Sequence, residues 1–238
     1  SVTPGVHIFC DGDDVANVSR TVARLRRAGA SRALLMVEHR IAGKPGTRWM
    51  GEDTIARAVE ACREDANVGV TLVGFPCPLK GDIAASRDRL EALCRRFDAT
   101  PMTDAEPRTL ATLEAHWSEP LVRTVMQVPG MQITTTRHEV LRLGPLSCVV
   151  YAQAEQQTSM ATQRQLFSRF GKAVPRESTV LVTGAFDQPG DPRTLAEFSA
   201  DLAAAEQHAK LVRAHAVWSA HTLGDAECDR LREWGRGL

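Results

Sequence analysis

The stretch Val6-His7-Ile8-Phe9-Cys10, followed by residues 13–28, shows the unit from which the fold is predicted. The first part is a short run of β-branched and aromatic residues, which is typical of a buried strand. In the second part valine, leucine and alanine recur at steps of three and four residues, which is the spacing of an amphipathic helix. Gly29 then suits the C-cap of that helix.

The same strand–helix unit recurs eight times along the chain. The predicted strands are 6–10, 33–37, 68–73, 99–103, 132–136, 147–153, 179–184 and 214–219. The predicted helices are 13–28, 54–64, a segment from Ile83 through Cys94, 109–117, 139–143, 161–174, 194–207 and 225–234, with a loop over 39–51. Alternating strands and helices predict a parallel sheet, and eight units in 238 residues match the usual size of a (β/α)₈ barrel. We therefore predict the α/β class and a single (β/α)₈ TIM barrel domain over residues 1–238.

An open, doubly wound sheet is the main competing architecture. No G-x-G-x-x-G fingerprint follows the first predicted strand, and no P-loop sequence occurs in the chain. The sequence therefore favours the barrel.

The composition argues against several classes of protein. Lys and Arg number 29 and so do Asp and Glu, so the formal net charge is zero and gives no electrostatic reason to expect a nucleic-acid or membrane-surface partner. No apolar run approaches the roughly 20 residues that a membrane-spanning helix needs. A hydrophobic content of 43% argues against disorder. We expect a globular protein that binds neither nucleic acid nor membrane.

The six cysteines are predicted to be free thiols that serve as small core residues. Cys10 and Cys148 lie in strand-like runs, Cys62 and Cys94 lie in helix-like runs, and no C-x-x-C or zinc-like spacing occurs. Free thiols are typical of a reducing cytoplasm, so we expect synthesis there, without a signal peptide.

Polar residues follow most of the predicted strands at the end where TIM barrels carry their active sites. They are, strand by strand, Asp11, Asp13 and Asp14; Glu38, His39 and Arg40; Asp104 and Glu106; Arg137 and His138; Tyr151, Gln153 and Glu155; Asp187 and Gln188; and Trp218, Ser219 and His221. Carboxylates from four or five strands at one rim predict a concave, acidic floor, which suits a neutral, polyhydroxylated substrate.

The triplet Asp104-Ala105-Glu106 is the strongest candidate for catalysis. Its two carboxylates lie two residues apart, which places them on the same face of an extended chain. Repulsion between neighbouring carboxylates raises the pKa of one of them, as a general acid requires. Glycoside hydrolysis uses one protonated carboxyl group and a second group that stabilises an oxocarbenium-like centre.

Together with Tyr151-Ala152-Gln153 and Val217-Trp218-Ser219, this triplet resembles the glycoside-hydrolase-like TIM barrels of phage lysins, which are similar to the family 25 lysozymes. The resemblance implies a hydrolase of the muramidase-like endolysin type. Such a bacteriophage glycosidase cleaves bacterial cell-wall peptidoglycan between N-acetylmuramic acid and N-acetylglucosamine. It implies that Glu106 is the proton donor, that Asp104 is its partner and that Asp11 matches an acidic residue found there in these enzymes.

The predicted substrate-binding residues are Glu38, Tyr151, Gln153, Asp187 and Trp218. No cofactor and no metal is expected. The expected partner is the glycan strand of peptidoglycan, with association with a larger phage assembly as a further expectation. The expected place of action is the cell wall or a virion.

Two alternatives stay open. One Tyr and four Trp are few for a cleft that stacks sugars, so a non-catalytic barrel, serving as a binding or structural module of a phage particle, is the first. The second is a metabolic barrel enzyme with a divalent metal at Asp11, Glu38 and neighbouring histidines, because His39, His138 and His221 each follow a predicted strand.

Overall fold

Twelve strands and six helices lie in the part of the chain that the structure describes. The structure is a computed structural model, and it describes residues 2–41, 47–74, 83–104, 131–136, 149–153, 176–184, 186–188, 191–192, 194–206 and 212–237. The strands are β1 (Gly5–Cys10), β2 (Arg32–Met36), β3 (Glu38–Arg40), β4 (Thr47–Trp49), β5 (Gly69–Gly74), β6 (Thr100–Asp104), β7 (Gln132–Thr136), β8 (Val149–Gln153), β9 (Thr179–Gly184), β10 (Phe186–Gln188), β11 (Asp191–Pro192) and β12 (Ala214–Trp218). The helices are α1 (Gly12–Ala16), α2 (Val18–Ala28), α3 (Glu52–Glu64), α4 (Ile83–Phe97), α5 (Leu195–Glu206) and α6 (Asp225–Gly235).

The barrel is closed by parallel pairing all the way round. The ring runs β1, β2, β5, β6, β7, β8, β9, β12 and back to β1. The closing pair aligns Gly5 with Ala214 and Ile8 with Val217, so the first and last units of the fold lie side by side. These eight strands coincide within one or two residues with the predicted ones, and the predicted TIM barrel is confirmed.

Side chains along each strand point alternately into the barrel and out toward the helices, which divides the core into two layers. Side chains that face the barrel interior include Phe9, Leu34, Met102, Tyr151 and Val182, and they form one buried cluster. Their sequence neighbours face outward and pack against the helices in a second, larger cluster. Since residue i and residue i+2 of a strand share a face, the last inward-facing residue of each strand reaches the rim.

The predicted helix over residues 13–28 is two helices, because Asn17 ends one and begins the next. The backbone N–H of Asn17 donates to the carbonyl oxygen of Asp13, and its side-chain oxygen accepts from the backbone N–H of Arg20. Asn favours such capping over a place inside a helix. Gly29 ends α2 with φ 64°, as predicted.

The predicted loop over residues 39–51 contains an antiparallel hairpin. β3 pairs with β4, and Glu38 lies opposite Trp49 while His39 lies opposite Arg48. The prediction was wrong here because the hairpin is short and mostly polar, so it has neither an apolar run nor a clear alternation.

The last helix is tied to the second one by ion pairs on the surface. Arg27 contacts Asp225 at 2.7 Å and Asp229 at 2.8 Å, and Arg24 also pairs with Asp225. The arginines near the end of α2 therefore bind a neighbouring helix as well as offsetting the helix dipole.

Four cysteines are buried free thiols, as predicted: Cys10, Cys62, Cys94 and Cys228. Cys77 and Cys148 lie outside the described residues, as do the predicted helices over 109–117, 139–143 and 161–174. The prediction of one domain over residues 1–238 includes these segments and stays a prediction. No described helix is both long and apolar enough to cross a membrane.

Candidate active site

Asp11, the first residue after β1, begins a compact cluster of charged groups at the barrel rim. Its Oδ1 accepts hydrogen bonds from the backbone N–H groups of Asp13 and Asp14 and so caps α1. In return, Oδ2 of Asp14 accepts from the backbone N–H of Asp11. This reciprocal capping fixes both carboxylates at the end of β1.

His221, which follows the last barrel strand, β12, lies next to these carboxylates, which follow the first strand. Its Nδ1 lies 3.1 Å from Oδ2 of Asp11, 3.2 Å from Oδ2 of Asp14 and 2.9 Å from Oγ of Ser219. A hydrogen bond between this ring nitrogen and a carboxylate oxygen needs one proton, which either Nδ1 or the carboxyl group carries. Barrel closure brings the two segments together, because β1 and β12 are neighbours.

Asp14 is the buried member of the cluster. Its side chain has no exposed surface and also accepts from the guanidinium of Arg20 at 3.3 Å. Burial, followed by the nearby charge of Asp11, raises the pKa of the Asp14 carboxyl, while the contact with His221 opposes that shift. The cluster can therefore hold a proton between its three members.

The same three side chains could hold a divalent cation. One ligand atom from each of Asp11, Asp14 and His221 lies within 4.8 Å of the others, and carboxylate and imidazole ligands suit several transition metals. The predicted metal ligand Glu38 is not part of this set.

Glu38 is buried, and the hydroxyl groups of two other segments donate to its carboxylate. One is Thr47 of β4 and the other is Ser86 of α4, at 2.9 Å. Gly74, the last residue of β5, leaves room for this carboxylate, since a Cβ there would lie 3.3 Å from it. Glu38 thus joins the hairpin to α4 and β5, and its predicted contact with substrate stays a prediction.

Asp104 ends β6, the fourth strand of the barrel, and is buried. It shares the inward face with Met102, which belongs to the interior cluster, and lies opposite Thr134 of β7. Two buried oxygens of β7, Oγ1 of Thr134 and Oε1 of Gln132, have no hydrogen-bond partner within the described part of the chain. Glu106 lies outside the described residues, so its role as acid stays a prediction.

The two predicted aromatic contacts lie at different depths. Tyr151 is fully buried in the barrel interior, where its hydroxyl lies 3.0 Å from Nδ1 of His7. Trp218, at the end of β12, is half-buried and packs on Phe9 with ring centroids 4.9 Å apart. The peptide bond that joins Trp218 to Ser219 is cis. Trp218 is therefore the one of the two aromatics placed at the rim.

The remaining predicted site residues are placed only by their strands. Gln153 ends β8 and Asp187 lies in β10. Their contact with substrate stays a prediction. Arg137 and His138 lie outside the described residues.

A cleft of about 540 Å³ opens at the rim between α1 and the hairpin. It is lined on one side by Asp11 and Asp13 and on the other by His39, Arg48 and Trp49, among others. Burial lowers the pKa of His39, which keeps that ring neutral beside the cleft. Sequence patterns do not show that Arg48 and Trp49 belong to the rim, because the hairpin that carries them is not predicted.

Comparison with known proteins identifies the fold. The sequence matches no protein-family model and no curated protein. The catalytic domain of a hyperthermophilic chitinase from Pyrococcus furiosus is similar in structure, with a TM-score of 0.61 and 13% identity over 98% of this chain and 96% of that one. The spore cortex-lytic enzyme SleL of Bacillus megaterium has a TM-score of 0.58 and 8% identity over 98% of this chain and 74% of that one. An F420-dependent secondary alcohol dehydrogenase has a TM-score of 0.61 and 7% identity over 98% of both chains.

At such low identity these similarities show the TIM-barrel fold alone. A chitinase and a cortex-lytic enzyme share this fold. A dehydrogenase shares it as well, so the activity must be argued from the site.

Proposed function

We propose that this barrel is a glycoside hydrolase that cleaves the glycan strand of bacterial cell-wall peptidoglycan. The observation that carries the proposal is the position of Asp104, a buried carboxylate on the inward face at the carboxyl end of the fourth barrel strand. TIM barrels carry their catalytic groups at this end of their strands. Glu106 follows two residues later and supplies the second carboxyl group that the reaction needs.

In the proposed reaction Glu106 donates a proton to the glycosidic oxygen while the bond from that oxygen to the anomeric carbon breaks. Asp104 remains ionised and either stabilises the positive charge that develops on the sugar or orients the substrate's N-acetyl group. Water then adds its oxygen to the anomeric carbon and returns a proton to Glu106. Asp11 adds negative charge to the same rim.

The substrate class rests on two lines of support. Barrels of the same fold occur in a chitinase and in a spore cortex-lytic enzyme, which favours a polysaccharide substrate. The Asp104–Glu106 pair resembles that of the family 25 lysozymes, which favours cleavage between N-acetylmuramic acid and N-acetylglucosamine. We place the activity at the cell wall. The phage origin and a virion partner have no support beyond that resemblance.

Wild-type protein is expected to release new reducing ends from purified peptidoglycan, and Asp104→Asn to lower kcat/KM about 100-fold. The reason is that asparagine keeps the shape of the side chain but removes the charge that stabilises the transition state. A reducing-sugar assay measures both proteins. Asp65→Asn, at an exposed carboxylate after α3, is the matched control and should keep the wild-type rate.

A failure of the wild-type protein to release reducing ends would favour a non-catalytic barrel. If wild-type protein binds peptidoglycan in a sedimentation assay but releases no reducing ends, it is a binding module. If it releases them and Asp104→Asn matches wild type, Asp104 has no part in the reaction.

A divalent-metal enzyme is the second candidate, and the cluster of Asp11, Asp14 and His221 is the observation that favours it. This candidate predicts that EDTA abolishes activity and lowers Tm, because a bound ion stabilises the folded state. The glycosidase proposal predicts that EDTA leaves hydrolysis of peptidoglycan unchanged. Elemental analysis of the purified protein, compared with His221→Gln, provides the independent readout.

A further inference from the structure

Two clefts adjoin on either side of α1. The cleft described above, of about 540 Å³, lies between α1 and the hairpin, and a second one, of about 680 Å³, lies between α1, the start of α2 and α3. Both are lined by Asp13 and Ala16, so they meet at this helix. We call the combined feature the α1 groove. Each half falls within the volume range of ordinary ligand sites, so successive sugars of one chain could occupy the two halves.

Each half of the α1 groove is lined by an arginine that has no ion-pair partner among the described residues. Arg48 of β4 lines the first cleft and Arg57 of α3 lines the second, and both side chains are exposed. Neither guanidinium has an ion-pair partner among the described residues, although ion pairs occur elsewhere on this surface. Arg20 also lines the second cleft, but its guanidinium is held by Asp14.

The groove also has both an aromatic ring and hydrogen-bonding side chains, the two kinds of group that bind sugars. Trp49 lines the first half and is half-buried, and the guanidinium of Arg89 lies over its ring, 4.9 Å from the centroid. Carboxylates of Asp11 and Asp13 line the same half and can accept hydrogen bonds from sugar hydroxyl groups. Asn17 and Ser19 provide further polar groups in the second half.

We propose that the α1 groove binds a linear acidic glycan, one whose sugars carry carboxylates, and that Arg48 and Arg57 pair with those carboxylates. Arginine is suited to this role because its planar guanidinium matches a carboxylate with two parallel hydrogen bonds. Asp13, which lines both halves, can accept hydrogen bonds from the uncharged hydroxyl groups of the chain. The inference rests on the proposed function in taking the glycan strand of peptidoglycan as ligand, and it adds a preference for strands freed of their stem peptides, because a lactyl carboxyl group is charged only where no peptide is amide-linked to it.

Equilibrium binding tests this proposal with one polymer in two charge states. The first probe is peptidoglycan glycan strands freed of their stem peptides, whose lactyl carboxylates are ionised, and the second is the same strands with those carboxylates amidated. All variants carry Glu106→Gln, so that the strands are not cleaved during titration. If the proposed hydrolase activity is absent, this substitution has no consequence and the binding result still stands.

We expect Arg48→Gln and Arg57→Gln each to weaken binding of the carboxylate strand by up to about fivefold, the upper end of what an exposed ion pair contributes. Binding of the amidated strand should change by less than about twofold in both variants, since the charge interaction is absent there. Added salt should weaken binding of the carboxylate strand alone. Arg26→Gln, at an exposed position of α2 outside both clefts, is the matched control and should bind as the parent does.

Two results would overturn the proposal. If the parent protein binds the amidated strand as tightly as the carboxylate strand, the groove does not select acidic glycans. If Arg48→Gln and Arg57→Gln bind the carboxylate strand as the parent does, the strand lies elsewhere. Because every readout is an affinity, both results are distinct from a loss of hydrolysis.

Discussion

Glu106→Gln is expected to lower kcat/KM on peptidoglycan about 1,000-fold and to leave the fold intact. Glutamine has nearly the size of glutamate but has no acidic proton to give to the leaving oxygen, and a positioned general acid contributes roughly 10²–10⁴ in rate. The measurement is the initial rate of reducing-end release. Glu64→Gln, at an exposed position of α3, is the matched control and should keep the wild-type rate.

A second substrate separates a lost acid from a disturbed structure. A leaving group that departs as a stable anion, such as a nitrophenolate, needs little protonation. An activated aryl glycoside should therefore lose much less rate in Glu106→Gln than the natural strand loses. An equal loss on both substrates would mean that the substitution disturbs the site as a whole, and Glu106 would not be the proton donor.

Acid is expected to destabilise the protein by about 4 kcal/mol between pH 7 and pH 5, because His7 and His215 are both fully buried. Burial lowers the pKa of each to about 3, against 6.5 in a model peptide. The unfolded chain therefore binds more protons than the folded one between these values. The free energy of unfolding is therefore highest above pH 6.5, where both rings are neutral in the folded and the unfolded chain. It falls as the pH drops toward 3, by about 1.4 kcal/mol per pH unit for each ring.

Urea unfolding at a series of pH values measures this effect. His215→Gln should reduce the slope of the unfolding free energy against pH by about 1.4 kcal/mol per unit below pH 6, since one titrating ring is gone. Asp14 acts in the opposite direction, because burial raises the pKa of its carboxyl, but it is a single group. An unchanged slope in His215→Gln would show that this ring is not neutral in the folded state.

The barrel was predictable because its strands are short apolar runs that helices separate. Val68 to Val73 is rich in valine and leucine and forms β5 over Gly69–Gly74, within one residue of the prediction. The fourth strand is weaker in sequence, since Pro101 cannot donate a hydrogen bond, yet its β6 occupies Thr100–Asp104. Eight apolar runs, each followed by a segment with the spacing of an amphipathic helix, are compatible with few topologies other than the barrel.

The details near the rim were less predictable because polar side chains shape them. The break at Asn17 depends on a side-chain cap, which a hydrophobic period does not show. The β3–β4 hairpin is held by its ladder and by Glu38, whose carboxylate accepts from Thr47 and Ser86. Neither the polar ladder nor Ser86, 48 positions away, produces a pattern in the local sequence.

The candidate site was predictable residue by residue but not as an arrangement. Asp11, Asp104, Trp218 and His221 were all expected at the rim from the rule that strand ends carry the chemistry. The contact of His221 with Asp14, at a separation of 207 positions, follows only once β12 is known to close on β1. That Asp14 is the buried partner of His221 depends on side-chain packing, which no periodicity encodes.

The pairing of β1 with β12 has a consequence for folding while the ribosome synthesises the chain. β1 is the first barrel strand to be made and β12 the last, so one edge of β1 stays open until Ala214–Trp218 have emerged from the exit tunnel. Until then His221 is not available to the carboxylates of Asp11 and Asp14. A nascent chain that stalls before this point exposes an unpaired strand edge, the kind of surface on which chaperones and aggregating neighbours act. The charged cluster at the rim is thus assembled late in synthesis, when the barrel closes.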